Sequence, residues 1–118
     1  NEFFEFVQKI DSPAVGINYD MGNSAMFGFD PEEEIRTLGK YINNIHIKDG
    51  IRNGGTVKLG TGDTNFEKVF SALKNINYRG DYILQSARLD LVGPNTDLCP
   101  ITTVKEYIQF IKKKAQTV

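Results

Sequence analysis

The chain has 118 residues, 40% of them hydrophobic and 25% charged, which gives room for one hydrophobic core and excludes wholesale disorder. Lys plus Arg number 14 and Asp plus Glu 15, so the formal net charge is −1 and the basic excess of a nucleic-acid binder is missing. No apolar run is long enough to span a bilayer, and a single cysteine, Cys99, excludes an internal disulfide and fits a reducing, cytoplasmic compartment.

The chain starts at Asn1, without an initiator Met, and runs straight into Phe3, Phe6, Val7 and Ile10 at helical spacing. This predicts the end of an amphipathic helix over residues 2–10. It also raises the expectation that residues 1–118 are the C-terminal portion of one larger domain, truncated before Asn1; the duller alternative is a processed or tagged small domain. Ser12-Pro13 breaks the helix, and residues 14–20 read as a buried strand ending at Asp20. Met21 to Phe29 reads as a Gly-containing loop. Asp30, Pro31 and Glu33 then carry a helix start, with Ile35, Leu38 and Ile42 as its apolar stripe and Gly39 as its early end.

Residues 43–49 form the second predicted strand. Ile45 and Ile47 face one way, and Asn44, His46 and Lys48 the other. A glycine-rich loop follows from Gly50 to Gly62. Thr64 and Glu67 have capping-box spacing before a helix with Phe66, Val69, Phe70 and Leu73 on one face. Tyr78-Arg79-Gly80 turns the chain into a third strand at 81–87. A loop rich in Asp, Gly, Pro and Asn leads to a last helix near Thr103, with Val104, Tyr107, Ile108 and Ile111 on one face. Lys112, Lys113 and Lys114 suit its C-terminal dipole. Phe3, Phe6, Phe66 and Phe70 are expected in the core, and Tyr19 and Tyr82 on helix-facing sides.

The order α-β-α-β-α-β-α implies parallel strands joined by right-handed crossovers. Three strands and four helices make a poor closed domain and read as one arc of a larger sheet or barrel. Each strand ends in chemistry: Asp20, then His46, Lys48 and Asp49, then Gln85 and Arg88. In parallel α/β architectures the carboxyl ends of strands line the site. Carboxylate, imidazole and amide on one rim form an incomplete ligand set for an oxygen-preferring divalent cation such as Mn²⁺ or Mg²⁺. The competing readings are a capping role for Asp20 and a satisfied interior histidine for His46. Gly60-Thr61-Gly62 either offers N–H groups to a phosphate or supplies a tight turn. Lys48 either binds an anionic substrate or reaches solvent, and Arg88 either meets a phosphate or pairs with Asp90 or Asp97.

Four segments occur in an informative order: residues 16–23 (GINYDMGN), 44–49 (NIHIKD), 57–62 (VKLGTG) and 82–87 (YILQSA). Together they resemble the C-terminal part of the sugar phosphate isomerase/epimerase family, xylose isomerase-like TIM barrels related to endonuclease IV-type apurinic endonucleases. The resemblance implies strands six to eight of a (β/α)8 barrel, whose complete form needs about 250 residues. It implies one divalent metal (Mn²⁺, Mg²⁺ or Zn²⁺) held by Glu, Asp, His and Glu on the last four strands. Asp20 matches the Asp and His46 the His. Gln85 stands where the second Glu usually sits, and the first Glu would precede Asn1. Asn23 occupies the place of a substrate-contacting His in many relatives, and Arg52 matches an Arg that holds substrate oxygens in some epimerases.

The activity so implied is isomerisation or epimerisation of a sugar or sugar phosphate, of the hexulose-phosphate isomerase or xylulose-phosphate 3-epimerase kind. The metal stabilises an enediolate while carboxylates move the proton. Lys48, Arg52 and Arg88 join Asn23 as expected substrate contacts. Gln85 is the departure that matters, since an amide cannot act as a general base at neutral pH. The catalytic base is therefore unassigned, and the isolated chain is expected to be inactive, to bind metal weakly or not at all, and to need the missing N-terminal half or self-association. One alternative is a non-catalytic carbohydrate-binding or assembly fragment. An apurinic endonuclease-like role is disfavoured by the single histidine, by Asn23 and Thr56 where further ligands would stand, and by the net charge. Neither nucleic acid nor a membrane is expected as a partner.

Overall fold

Two-residue alternation builds the sheet. In β2 (Ile42–Ile47), Ile45 and Ile47 are buried, while Asn44 and His46 turn to the opposite, more open face. The structure, a computed structural model, describes residues 2–85 and 100–118. β1 (Ile17–Asp20) and β5 (Asp81–Leu84) flank β2, and both pair with it in parallel. The register places Asp20 beside His46, and His46 beside Ile83. The expected parallel α/β arc is therefore present. The described strands are shorter than expected: Ala14–Gly16 precede β1, and residues 86–87 lie outside the described residues.

One face of the sheet carries Ile17, Tyr19, Ile45, Ile47 and Leu84, and it packs under the helices. α1 (Glu2–Ile10) inserts Val7; α3 (Pro31–Leu38) inserts Ile35 and Leu38; α4 (Phe66–Asn75) inserts Phe66, Val69, Phe70 and Leu73. α5 (Pro100–Gln116) adds Tyr107 and packs on α4, which also packs on α3. Full burial of a residue such as Ile35, Ile45 or Leu73 contributes about 2 kcal/mol.

Phe3 and Phe6 correct the expected core: they are 51% and 59% exposed, because α1 meets the sheet through Val7, and Phe4 packs edge-on against Tyr41. The opposite face of the sheet is mostly polar, with Asn18, Asn44, Asp81 and Gln85 beside Asp20 and His46; Ile83 is its exposed apolar member.

Three local expectations are also corrected. Residues 21–27 form a helix, α2 (Met21–Phe27), and not a loop. Asp20 caps it through Asn23 N, and Gly28 ends it in the left-handed region at φ 72°. At α4 the capping side chain is Asn65, which accepts from Lys68 N, in place of Thr64, which is buried next to β2. The Gly50–Gly62 segment is not a plain loop, since β3 (Asp49–Gly50) and β4 (Thr56–Val57) pair antiparallel. Asp30 and Pro31 start α3 as expected, and a 3-10 turn at Gly39–Tyr41 leads into β2, so Ile42 belongs to the strand. The last helix starts at Pro100. Arg88 and Cys99 lie outside the described residues.

Candidate active site

Asp20 ends β1 and His46 lies in β2, on one face, as register partners. Asp20 Oδ1 accepts from Asn23 N at 2.8 Å, so the capping reading of Asp20 holds for that oxygen. Oδ2 points elsewhere. It lies 3.7 Å from His46 Nδ1 and 3.5 Å from Lys48 Nζ. Both separations are too long for good hydrogen bonds. Asp20 Oδ2 and His46 Nδ1 thus face each other with no direct bond closing the gap.

Lys48 is 8% exposed, although its side chain is charged. Its stem crosses the first turn of α2, where a Cβ on Gly22 would meet Lys48 Cγ at 2.8 Å. Only glycine leaves that passage open. The ammonium then reaches Asn23 Oδ1, to which it donates at 2.7 Å. Asp20, Asn23, His46 and Lys48 therefore converge at the carboxyl ends of β1 and β2. Gln85 follows β5, and its N donates to Ile47 O at 2.9 Å. Alternation puts it on the His46 side, one step farther along, in line with Lys48 and not with His46.

Carboxylate oxygen and imidazole nitrogen are suitable donors for a divalent cation. Asp20 and His46 fit such an ion as two adjacent ligands. Among the described residues no group of three His, Cys, Asp or Glu side chains is arranged to hold a metal, so the donor set is a half-site.

Arg52 is placed apart. Its guanidinium lies against Gly28, where a Cβ would meet Cζ at 2.8 Å, and it lines a separate cavity of about 520 Å³ with Asp63, Asn65 and Lys68. Lys68 is paired there with Asp30.

Asp49 is not a site donor. It is 1% exposed, and its Oδ1 accepts from Gly50 N at 2.9 Å and Thr64 N at 3.2 Å. Its Oδ2 accepts from Gly60 N at 2.8 Å and Gly62 N at 2.9 Å. Gly60 and Gly62 therefore direct their N–H groups at a carboxylate of the same chain, and Thr61 N donates to Lys58 O, so the GTG segment is a tight turn and offers no phosphate cradle. Asp63 Oδ2 accepts from Arg52 N at 2.8 Å and tightens the same loop.

A second network was not legible in the sequence. Tyr19 OH lies 3.1 Å from Ser24 Oγ and 3.2 Å from Glu34 Oε2, and Ser24 Oγ donates to the same Glu34 oxygen. Burial pushes the Tyr19 phenol well above its ordinary range, and burial also raises Glu34. This network ties β1, α2 and α3 together behind Asp20.

The model of the xylose isomerase-like TIM barrel family matches residues 1–113. An inosose dehydratase of Clostridium perfringens is 27% identical, over 96% of this chain and 42% of that protein. A protein named as an L-ribulose-5-phosphate 3-epimerase, from Haemophilus influenzae, is 36% identical over 64% of this chain and 29% of its own length. The crystal structure of a xylose isomerase domain protein from Planctomyces limnophilus superposes with a TM-score of 0.72 at 29% identity, covering 99% of this chain and 44% of that one. The chain thus spans less than half the length of these relatives. Among the described residues no helix is long and apolar enough to cross a membrane.

Proposed function

The chain belongs to the xylose isomerase-like TIM barrel family, and from that premise we propose that it forms the sixth to eighth strands of a barrel that isomerises or epimerises a sugar or sugar phosphate. The reading is carried by one observation: Asp20 Oδ2 and His46 Nδ1 face each other at 3.7 Å on the inward side of adjacent strands. These two residues would hold a divalent metal. Such an ion, when bound, supplies Lewis-acid polarisation of adjacent sugar oxygens. Asn23 and Lys48 present an amide and an ammonium beside the same carboxylate, and in this reading they orient the sugar hydroxyls. Arg52 serves from the neighbouring cavity, and Arg88 completes the proposed substrate contacts. Gln85 contributes an amide oxygen as a third, uncharged ligand. The proton-transferring carboxylates come from the preceding part of the barrel.

The test joins calorimetry to isotope exchange. Mn²⁺ binding should weaken in Asp20→Asn and His46→Ala and tighten in Gln85→Glu. In the chain fused to the remaining barrel strands, ketose or ketose phosphate should take up solvent deuterium at the carbon next to its carbonyl. Unchanged Mn²⁺ affinity in Gln85→Glu removes Gln85 from the site; no exchange with any ketose in the fused protein refutes the enzyme. A non-catalytic carbohydrate-binding fragment is the second reading, favoured by the absence of a carboxylate at Gln85. It requires sugar binding that is indifferent to metal.

A further inference from the structure

We infer that Lys48 is a resident cation of the Asp20 carboxylate, and that a divalent metal reaches this site only by displacing it. The inference rests on the metal half-site of the preceding section and goes beyond it. Three observations carry it.

Lys48 Nζ stands 3.5 Å from Asp20 Oδ2, the oxygen that also faces His46 Nδ1, so an ion on that oxygen and the ammonium meet at one atom. The Lys48 side chain is held in place: its stem is fixed against Gly22, and its ammonium donates to Asn23 Oδ1 at 2.7 Å. Side-chain exposure is 10% for both Lys48 and Asp20, so water screens the pair weakly.

The charges decide the consequence. Asp20 is the one carboxylate among the four converging side chains, and Lys48 already neutralises it. Adding two positive charges without moving Lys48 would leave a strongly cationic, poorly solvated cluster. Displacement therefore breaks the Lys48–Asn23 hydrogen bond and moves the ammonium away from the Asp20 carboxylate. Lys48 is thus a positioning residue that keeps Asp20 and α2 in place without metal, and it lowers the metal affinity of the half-site. The geometry also gives Gly22 a role: a side chain there would block the route of the Lys48 stem.

The experiment compares Mn²⁺ affinity, by calorimetry at low ionic strength, for the 118-residue chain and for its Lys48→Met and Lys48→Gln variants. Lys48→Gln keeps a donor for Asn23 without the charge and guards against misfolding of the methionine variant. Both should bind Mn²⁺ at least about tenfold more tightly than the parent. A second readout needs no metal. Trace acylation of lysines, mapped by mass spectrometry, should find Lys48 slower than exposed Lys58 in the parent, and faster in Asp20→Asn and in the parent saturated with Mn²⁺. Equal or weaker Mn²⁺ affinity in both variants overturns the inference, as does Lys48 acylation indifferent to Asp20→Asn, a readout that stands even where Mn²⁺ binding is too weak to measure. No sugar turnover is read, so failure here leaves the proposed isomerase chemistry standing, and inactivity on sugars leaves this inference standing.

Discussion

Replacing Asp49 by Asn should cost the protein about 3 kcal/mol. The Asp49 carboxylate is 1% exposed and accepts four backbone N–H groups, from Gly50, Gly60, Gly62 and Thr64, at 2.8–3.2 Å. Each oxygen takes two of them. An asparagine has one acceptor oxygen, so either orientation of its amide turns an NH₂ toward two N–H donors. Two charge-assisted bonds are then lost, at about 1.5 kcal/mol each. When the NH₂ faces Gly50 and Thr64, the orphaned donors belong to buried residues that water cannot easily reach. Urea unfolding reads the loss, and amide hydrogen exchange at Gly60, Gly62 and Thr64 locates it. Asp63→Asn is the matched control: Asp63 is exposed and accepts one backbone N–H, from Arg52, so its replacement should cost under about 1 kcal/mol. If Asp49→Asn loses no more than Asp63→Asn, the carboxylate is not what holds the loop, and the reasoning fails.

Gly62→Ala should destabilise by about 1–3 kcal/mol in denaturant titration, because the new Cβ would meet Asp49 Oδ1 at 2.4 Å and Gly50 O at 2.7 Å; Gly55→Ala, with nothing within 4 Å, should change little. Burial holds the Glu34 carboxyl above its ordinary value of 4.5, so the folded state binds the extra proton. Stability from this group is therefore present below about pH 4.5 and is lost as pH rises through the elevated folded value. Melting curves across that range should show the parent falling relative to Glu34→Gln, and parallel curves would refute it. Both flanking strands, β1 and β5, pair on one side only among the described residues, and Ile83 is 44% exposed on the inward face. The isolated chain should self-associate in light scattering, and a stable monomer with a cooperative melt at high concentration would count against this.

The sequence by itself determined the arc. Alternation in residues 43–49 and helical spacing at Phe66, Val69, Phe70 and Leu73 are local signals realised because burial on one face enforces the pattern, and the Asp30-Pro31 start is realised by the cap that Asp30 makes to Glu32 N and Glu33 N. It also placed Asp20 and His46 at neighbouring strand ends, since parallel order and strand parity follow from the same alternation. α2 has no local signature, because seven residues with a glycine give no clear periodicity and the capping role open to Asp20 does not by itself specify a helix. The exposed Phe3 and Phe6 show the converse: helical spacing names an apolar face but not how much of it a neighbour covers. Only the tertiary structure could assign the polar side chains. Lys48 reaches Asn23 across 25 positions, Asp49 gathers donors as far along as Thr64, and Tyr19 meets Glu34 across 15. Spacing brings a carboxylate or an ammonium to a strand end; which partner it takes depends on hydrogen-bond distances set when separate segments pack, and no local pattern encodes those distances.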